Sequence, residues 1–181
     1  LSLVYVGPVG GKDAPEFDDV AMLTALGPRD AVVCGLNVWA NDIHVVAMQV
    51  CYRVHQRGRK PKLMNGQRHG GTKAQALMKR MCGREGACRM QHINLNDSEH
   101  ITSVEIFTRR HGIRVTYRKG VGPDSLILGG LKVSTNQREF EWFNKLPDRA
   151  CDLSSQRIVA VPDGSRFVGL FGYAGWFISG L

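Results

Sequence analysis

One hundred and eighty-one residues suit a single domain, residues 1–181, and leave no room for two full cores. Hydrophobic residues at 43% against 22% charged exclude wholesale disorder, and 21 glycines are too many for a helical bundle. The net charge of +8 is local: between Arg53 and Met90 eleven Lys or Arg face the single Glu85, a sum of +10, so the rest of the chain carries −2.

In chain order, the stretches Leu36 to Trp39, Ile43 to Val54, Ile101 to Phe107, Ile113 to Tyr117, Leu126 to Thr135 and Ile158 to Val161 are short and rich in β-branched or aromatic residues, which predicts strands. Turn residues punctuate them at Asn41-Asp42, His111-Gly112, Gly120 to Pro123, Gly129-Gly130, Thr135-Asn136 and Asp163-Gly164. The pattern predicts an all-β, mostly antiparallel domain. Residues 58–71, with five glycines or prolines among basic side chains, are expected to form a mobile exposed loop. After it, Ala74, Leu77, Met78 and Met81 recur at helical spacing, so one short amphipathic helix is expected over Thr72 to Met81. Phe167 to Leu181 is apolar and uncharged, but four glycines interrupt it and it falls short of the roughly 18–20 residues of a membrane-spanning helix. No transmembrane segment is expected.

The five cysteines allow at most two intrachain disulfides, and the odd count favours a secreted or extracellular setting. The first residues nevertheless lack the basic-then-apolar order of a signal peptide. Cys82 and Cys88 are spaced to close a small disulfide loop; Cys34 and Cys51 fall on neighbouring strands, where buried thiols are the simpler reading; Cys151 has no evident partner. His69, Cys82, Cys88 and His92 have the composition of a zinc site, but five residues separate the cysteines where about two to four are usual, so no metal is expected.

There is no nucleophile elbow, no H-E-x-x-H and no phosphate loop, and Gly120-Val121-Gly122 lacks the third glycine of a dinucleotide fingerprint. The chain reads as a non-enzyme without cofactor, with Asp18, Asp19 and His44 as strand-end or turn residues. Arg57, Arg59, Lys60, Lys62 and Arg68 form a candidate polyanion contact whose affinity would fall with salt. Aromatic residues are nearly absent from that segment, which argues against single-stranded nucleic acid and leaves phosphate-only contact with a duplex open. Asn96-Asp97-Ser98 meets the glycosylation pattern, a triplet that also occurs by chance.

Three separated pieces resemble the jacalin-related lectins. Gly7-Pro8-Val9-Gly10-Gly11 with Glu16-Phe17-Asp18-Asp19 is similar to that family's glycine-rich opening and aromatic-Asp-Asp signature. Ile93 to Val104, with Leu95, Glu99 and Ile101, is similar to its strand pair, and Leu131 to Arg138, with Thr135-Asn136, to its "T-N-x-R" hairpin. Val168 to Leu181 is similar to its closing motif.

The resemblance implies a β-prism of three four-stranded antiparallel Greek-key sheets, here with a basic insertion at about 58–91. It implies a sugar held at one end by the first and last loops, and jacalin-like prisms often pair or form tetramers. The matching positions are Gly10, Gly11, Tyr173, Ala174, Gly175, Trp176, Phe177 and Ser179. Glycines let backbone N–H groups approach sugar oxygens, and aromatic rings lie against a pyranose face.

Ser179 stands where the family carries an aspartate, whose charge strengthens the hydroxyl bonds it accepts. Its loss costs about a hundredfold in affinity for a sugar gripped in that way. The expected ligands are therefore glycans, anionic or sulfated ones included. The alternative is a structural or adaptor subunit whose degenerate lectin fold contacts protein or polyanion.

Overall fold

The computed structural model describes residues 15–26, 31–40, 45–71, 88–110, 126–141, 143, 156–174 and 178–181. Its elements are β1 (Glu16–Asp18), α1 (Asp19–Leu26), β2 (Ala31–Ala40), β3 (Val45–Val54), β4 (Lys62–Asn65), β5 (His69–Gly70), β6 (Arg89–Asn94), β7 (Ile101–Arg110), β8 (Leu126–Thr135), β9 (Gln156–Ala160), β10 (Phe171–Ala174) and β11 (Ile178–Gly180). The strands form three antiparallel sheets in the orders β1-β10-β11, β4-β3-β2-β6 with β5 also on β3, and β8-β7-β9. Isolated bridges Leu131↔Phe143 and Ser134↔Glu139 extend the third sheet beyond β8. The all-β expectation holds.

Alternation along β2 explains how one sheet covers the core. Leu36 and Val38 are buried, while Asn37 and Trp39 between them stay partly exposed. Met48, Val50 and Tyr52 of β3 meet Ile101, Val104 and Ile106 of β7, Leu128, Leu131 and Val133 of β8, and Leu170, Ile178 and Leu181 from the C-terminal sheet in one cluster. All three sheets therefore close on a single apolar interior, and that burial is the main driving force for the fold.

Two expectations change. Residues 58–71 are not one loop: only 55–61 turn, with the Arg59 N–H donating to the Gln56 carbonyl at 3.0 Å, while β4 and β5 add strands to β3. The glycines and basic side chains hid these strands. The two are short, and β4 has a single partner, so its side chains stay largely in solvent. Gly129-Gly130 is likewise not a turn but lies within β8, at the register shift opposite Phe107/Thr108. The expected helix at 72–81, the strand at 113–117 and the turns at 41–42, 111–112 and 120–123 lie outside the described residues.

Helix α1 was not legible from periodicity, because Asp19-Val20-Ala21-Met22-Leu23-Thr24-Ala25-Leu26 is apolar around most of its circumference. Its start has a local cause. Asp18 Oδ1 accepts the Val20 N–H at 2.8 Å and the Ala21 N–H at 3.2 Å, satisfying two donors that a helix N-terminus leaves open.

Candidate functional site

The first and last parts of the chain meet in one sheet. β1 pairs with β10 through Glu16↔Tyr173, Phe17↔Gly172 and Asp18↔Phe171, and β10 pairs with β11 through Tyr173↔Gly180 and Ala174↔Ile178. Because β1 and β10 are antiparallel, the start of β1 lies beside the end of β10. The Ala174 N–H donates to the Pro15 carbonyl at 2.9 Å, locking that juxtaposition. The chain therefore enters β1 at the same rim where β10 turns toward β11. Tyr173 and Ala174 sit there, half-buried. Ser179 lies in β11. Gly10, Gly11, Gly175, Trp176 and Phe177 lie outside the described residues.

At the end of β1 opposite the Pro15–Ala174 bond is a buried polar contact. Asp19, fully buried, accepts from His69 Nε2–H at 2.5 Å through Oδ1 and from the Leu170 N–H at 3.0 Å through Oδ2. The His69 ring stacks on Phe17 with centroids 3.8 Å apart and planes 13° from parallel. Tyr52 is 1% exposed and its hydroxyl has no partner among the described residues. Burial, with the charge of nearby Asp19, pushes that phenol well above its ordinary range. These groups are enclosed, and the Asp19 carboxylate ties the β1–α1 junction to His69 of β5 and to the Leu170 backbone. No group of three or more His, Cys, Asp or Glu side chains among the described residues is arranged to hold a metal.

A family model, the Jacalin-like lectin domain, matches residues 6–181. The chain belongs to the jacalin-like lectin domain family.

Solved lectins share the architecture of this jacalin-like domain. A mannose-specific jacalin-related lectin from Morus nigra, in complex with mannose, aligns with a TM-score of 0.64 at 18% identity over 97% of this chain and 88% of its own. Artocarpin, in complex with mannopentose, aligns at 0.65 and 16% over 98% and 93%. Frutapin, from Artocarpus incisa, aligns at 0.63 and 18% over 97% and 91%. No curated protein matches the sequence. The three antiparallel sheets are thus the β-prism of these lectins.

The family-like motifs in the middle of the chain have a structural explanation in this jacalin-like domain. Glu99, 4% exposed, receives Arg138 Nε–H at 2.8 Å and Arg138 Nη2–H at 3.0 Å on its two oxygens, together with the Thr135 hydroxyl at 2.8 Å and the Asn96 N–H at 3.1 Å. Asn136 accepts the His100 N–H and donates to the Ser98 carbonyl. The "T-N-x-R" residues therefore tie the turn after β8 to the turn before β7. Arg138, above all, holds the Glu99 carboxyl down to about 2, well below its ordinary 4.5. This is framework and not a ligand site.

The remaining sequence candidates are scattered. Arg57, Arg59, Lys60 and Lys62 are exposed on the β3–β4 hairpin, whereas Arg68 precedes β5 and lies 5.5 Å over the Trp39 ring. Of the four residues with zinc-site composition, His69 is committed to Asp19 and exposed His92 bonds Asn37 Oδ1 at 2.6 Å. Cys34 and Cys51 are buried thiols beside the β2–β3 register shift, and burial raises both pKa values. Cys82, Cys151 and His44 lie outside the described residues. Asn96 is exposed in the turn between β6 and β7. Sequence reasoning missed the Asp19–His69 pair. The aromatic-Asp-Asp signature was the available signal for one half of it, and nothing local marked the other.

Proposed function

We propose that this domain binds carbohydrate, without catalysing a reaction, at the rim where β1 begins and β10 turns into β11. The observation that carries the reading is the 2.9 Å bond from the Ala174 N–H to the Pro15 carbonyl, which fixes the two segments side by side. On this reading Gly10, Gly11, Ala174 and Gly175 let the backbone approach sugar hydroxyls, while Tyr173, Trp176 and Phe177 supply the apolar surface for a pyranose ring. Lectins of the same fold are seen with mannose and with mannopentose, so neutral mannose-type glycans are the first probes.

Ser179 supplies one neutral hydroxyl and no charge. Its grip on a neutral sugar is weaker than a carboxylate's, and it does not repel sulfate. The reading therefore includes anionic, sulfated glycans and a secreted or extracellular setting.

The test is an array of neutral and sulfated glycans at low and physiological salt. Binding that falls in Trp176→Ala and rises for mannose in Ser179→Asp supports the rim. Absence of binding to every glycan at low salt overturns it. The exposed cationic hairpin favours a second reading, an adaptor subunit of a larger assembly. Excising the segment is not a clean test, because it removes His69 and Gly70 from the sheet. Neutralising the hairpin cations separates the two: loss of co-purifying partners with sugar binding intact favours the adaptor.

A further inference from the structure

The hairpin cations Arg57, Arg59, Lys60 and Lys62 follow the end of β3, whereas the C-terminal sheet approaches that strand near its start. Gly70 of β5 pairs with Ala47, near the start of β3, and a Cβ built on it would stand 3.2 Å from Ile178 Cγ1, at the start of β11. The rim is therefore level with the first residues of β3. The β3–β4 turn begins after Val54, seven residues later in a strand that rises about 3.2–3.4 Å per residue, so the hairpin starts roughly 22–24 Å further along β3 than Ala47.

We propose that the β3–β4 hairpin is a second ligand site, for a linear sulfated polysaccharide, and that it can be occupied while the rim holds a neutral glycan. Arg57, Arg59, Lys60 and Lys62 place four exposed cations within six residues. None of the four has an ion-pair partner among the described residues, and Asp97, an acid near this end of the sheet, is engaged by Arg53. Gly58, at φ 72°, turns the chain with no heavy atom within 4 Å of a would-be Cβ, so the tip stands clear of the body.

Four cations so placed attract a polyanion by counterion release, which requires no carved pocket. Residues 53–63 contain no Phe, Tyr or Trp and a single imidazole, His55, so the run of aromatic rings on which successive bases stack is missing. One exposed apolar residue there, Leu63 at 70%, is too little apolar surface to anchor the hairpin in a lipid interface. The choice of a sugar polymer rests on the lectin reading; the placement of the cations does not.

The experiment compares heparin binding of the full chain, of R57Q/R59Q/K60Q/K62Q and of Arg68→Gln across a salt series. Thermal unfolding serves as the fold control. The quadruple variant is expected to lose about tenfold or more in affinity at physiological salt and about 3 units of the slope of log K against log salt, while Arg68→Gln stays near wild type. Mannopentose at saturation is expected to leave heparin bound. The proposal is overturned by a wild-type chain that ignores heparin, by a quadruple variant that binds like wild type, by displacement with mannopentose, or by tighter binding of duplex RNA or anionic vesicles at equal salt. Trp176→Ala, which disables only the rim, keeps failure of the lectin reading distinct: it removes neutral-glycan binding and leaves heparin untouched.

Discussion

Asp19 and His69 lie fifty residues apart in the chain and meet at 2.5 Å in the interior. Through them the β1–α1 junction, the edge of the five-stranded sheet and the backbone of Leu170 share one carboxylate. The contact couples two of the three sheets at the end of β1 and β10 opposite the Pro15–Ala174 bond. The Asp19 carboxylate thereby adds a side-chain tie between the end of β1 and the start of β10 to the backbone ladder that pairs them.

Removing either partner leaves the other buried without its bond. His69→Ala and Asp19→Ala are each expected to destabilise the fold by about 3–5 kcal/mol, the range for breaking a buried pair from one side. Urea unfolding followed by tryptophan fluorescence measures it. The double variant should cost less than the sum of the two single ones, because the shared bond is lost only once. Additive losses would mean that the two side chains stabilise the sheets independently.

Glu99 gives the stability a defined acid limb. Its folded pKa, about 2, is depressed from an ordinary 4.5, so its contribution is fully present above about 4.5 and is lost as pH falls toward 2. Glu99→Gln removes that titration along with the charge-assisted bonds of Arg138. It is expected to cost about 2–3 kcal/mol at pH 7 and to flatten the fall of the urea midpoint between pH 4.5 and 2.5. A variant that keeps the wild-type acid slope would place the titrating group elsewhere.

Strands with alternating or continuous apolar residues were legible in the sequence because burial dictates their composition. β8 was expected at its observed limits, β3 at its observed end, and β2 with a start displaced from Ala31 to Leu36. β4 and β5 were not, since the edge position of β4 tolerates the Lys and Asn of a loop, and a two-residue strand such as β5 has no period to detect. Helix α1 escaped because apolar residues around most of its circumference leave no amphipathic period to read; only Asp18, at its N-cap, marked it. At the site, the resemblance pointed to the two segments that share the rim. It could not reveal that Arg68 lies apart from the hairpin cations, because that separation follows from which residues of β3 each segment pairs with.

Gly70 and Gly58 have similar backbone angles, φ 82° and 72°, in opposite surroundings. A Cβ at Gly70 would overlap the Val46 carbonyl oxygen, whereas Gly58 has open space. Gly58→Ala therefore carries only the left-handed penalty, about 1–2 kcal/mol. Gly70→Ala adds a backbone clash at the paired edge of β5 and is expected to cost at least about 3 kcal/mol, with loss of rim binding. Thermal unfolding of the two variants side by side checks the order. Equal costs would show that β5 shifts freely on β3.

The thiols of Cys34 and Cys51 test how tightly the central strand pair is closed. Cys34 sits at the register shift where Gly35 pairs with Cys51, and the two are 9% and 7% exposed. Desolvation raises both pKa values, so at pH 8 each thiol is short of its reactive thiolate as well as shielded. Alkylation by iodoacetamide at these two positions, followed by peptide mass spectrometry, is expected to be at least about a hundredfold slower in the native chain than in urea. Rapid labelling of both in the absence of denaturant would mean that β2 and β3 part readily. The five-stranded sheet could then not hold the cationic hairpin at a fixed distance from the rim.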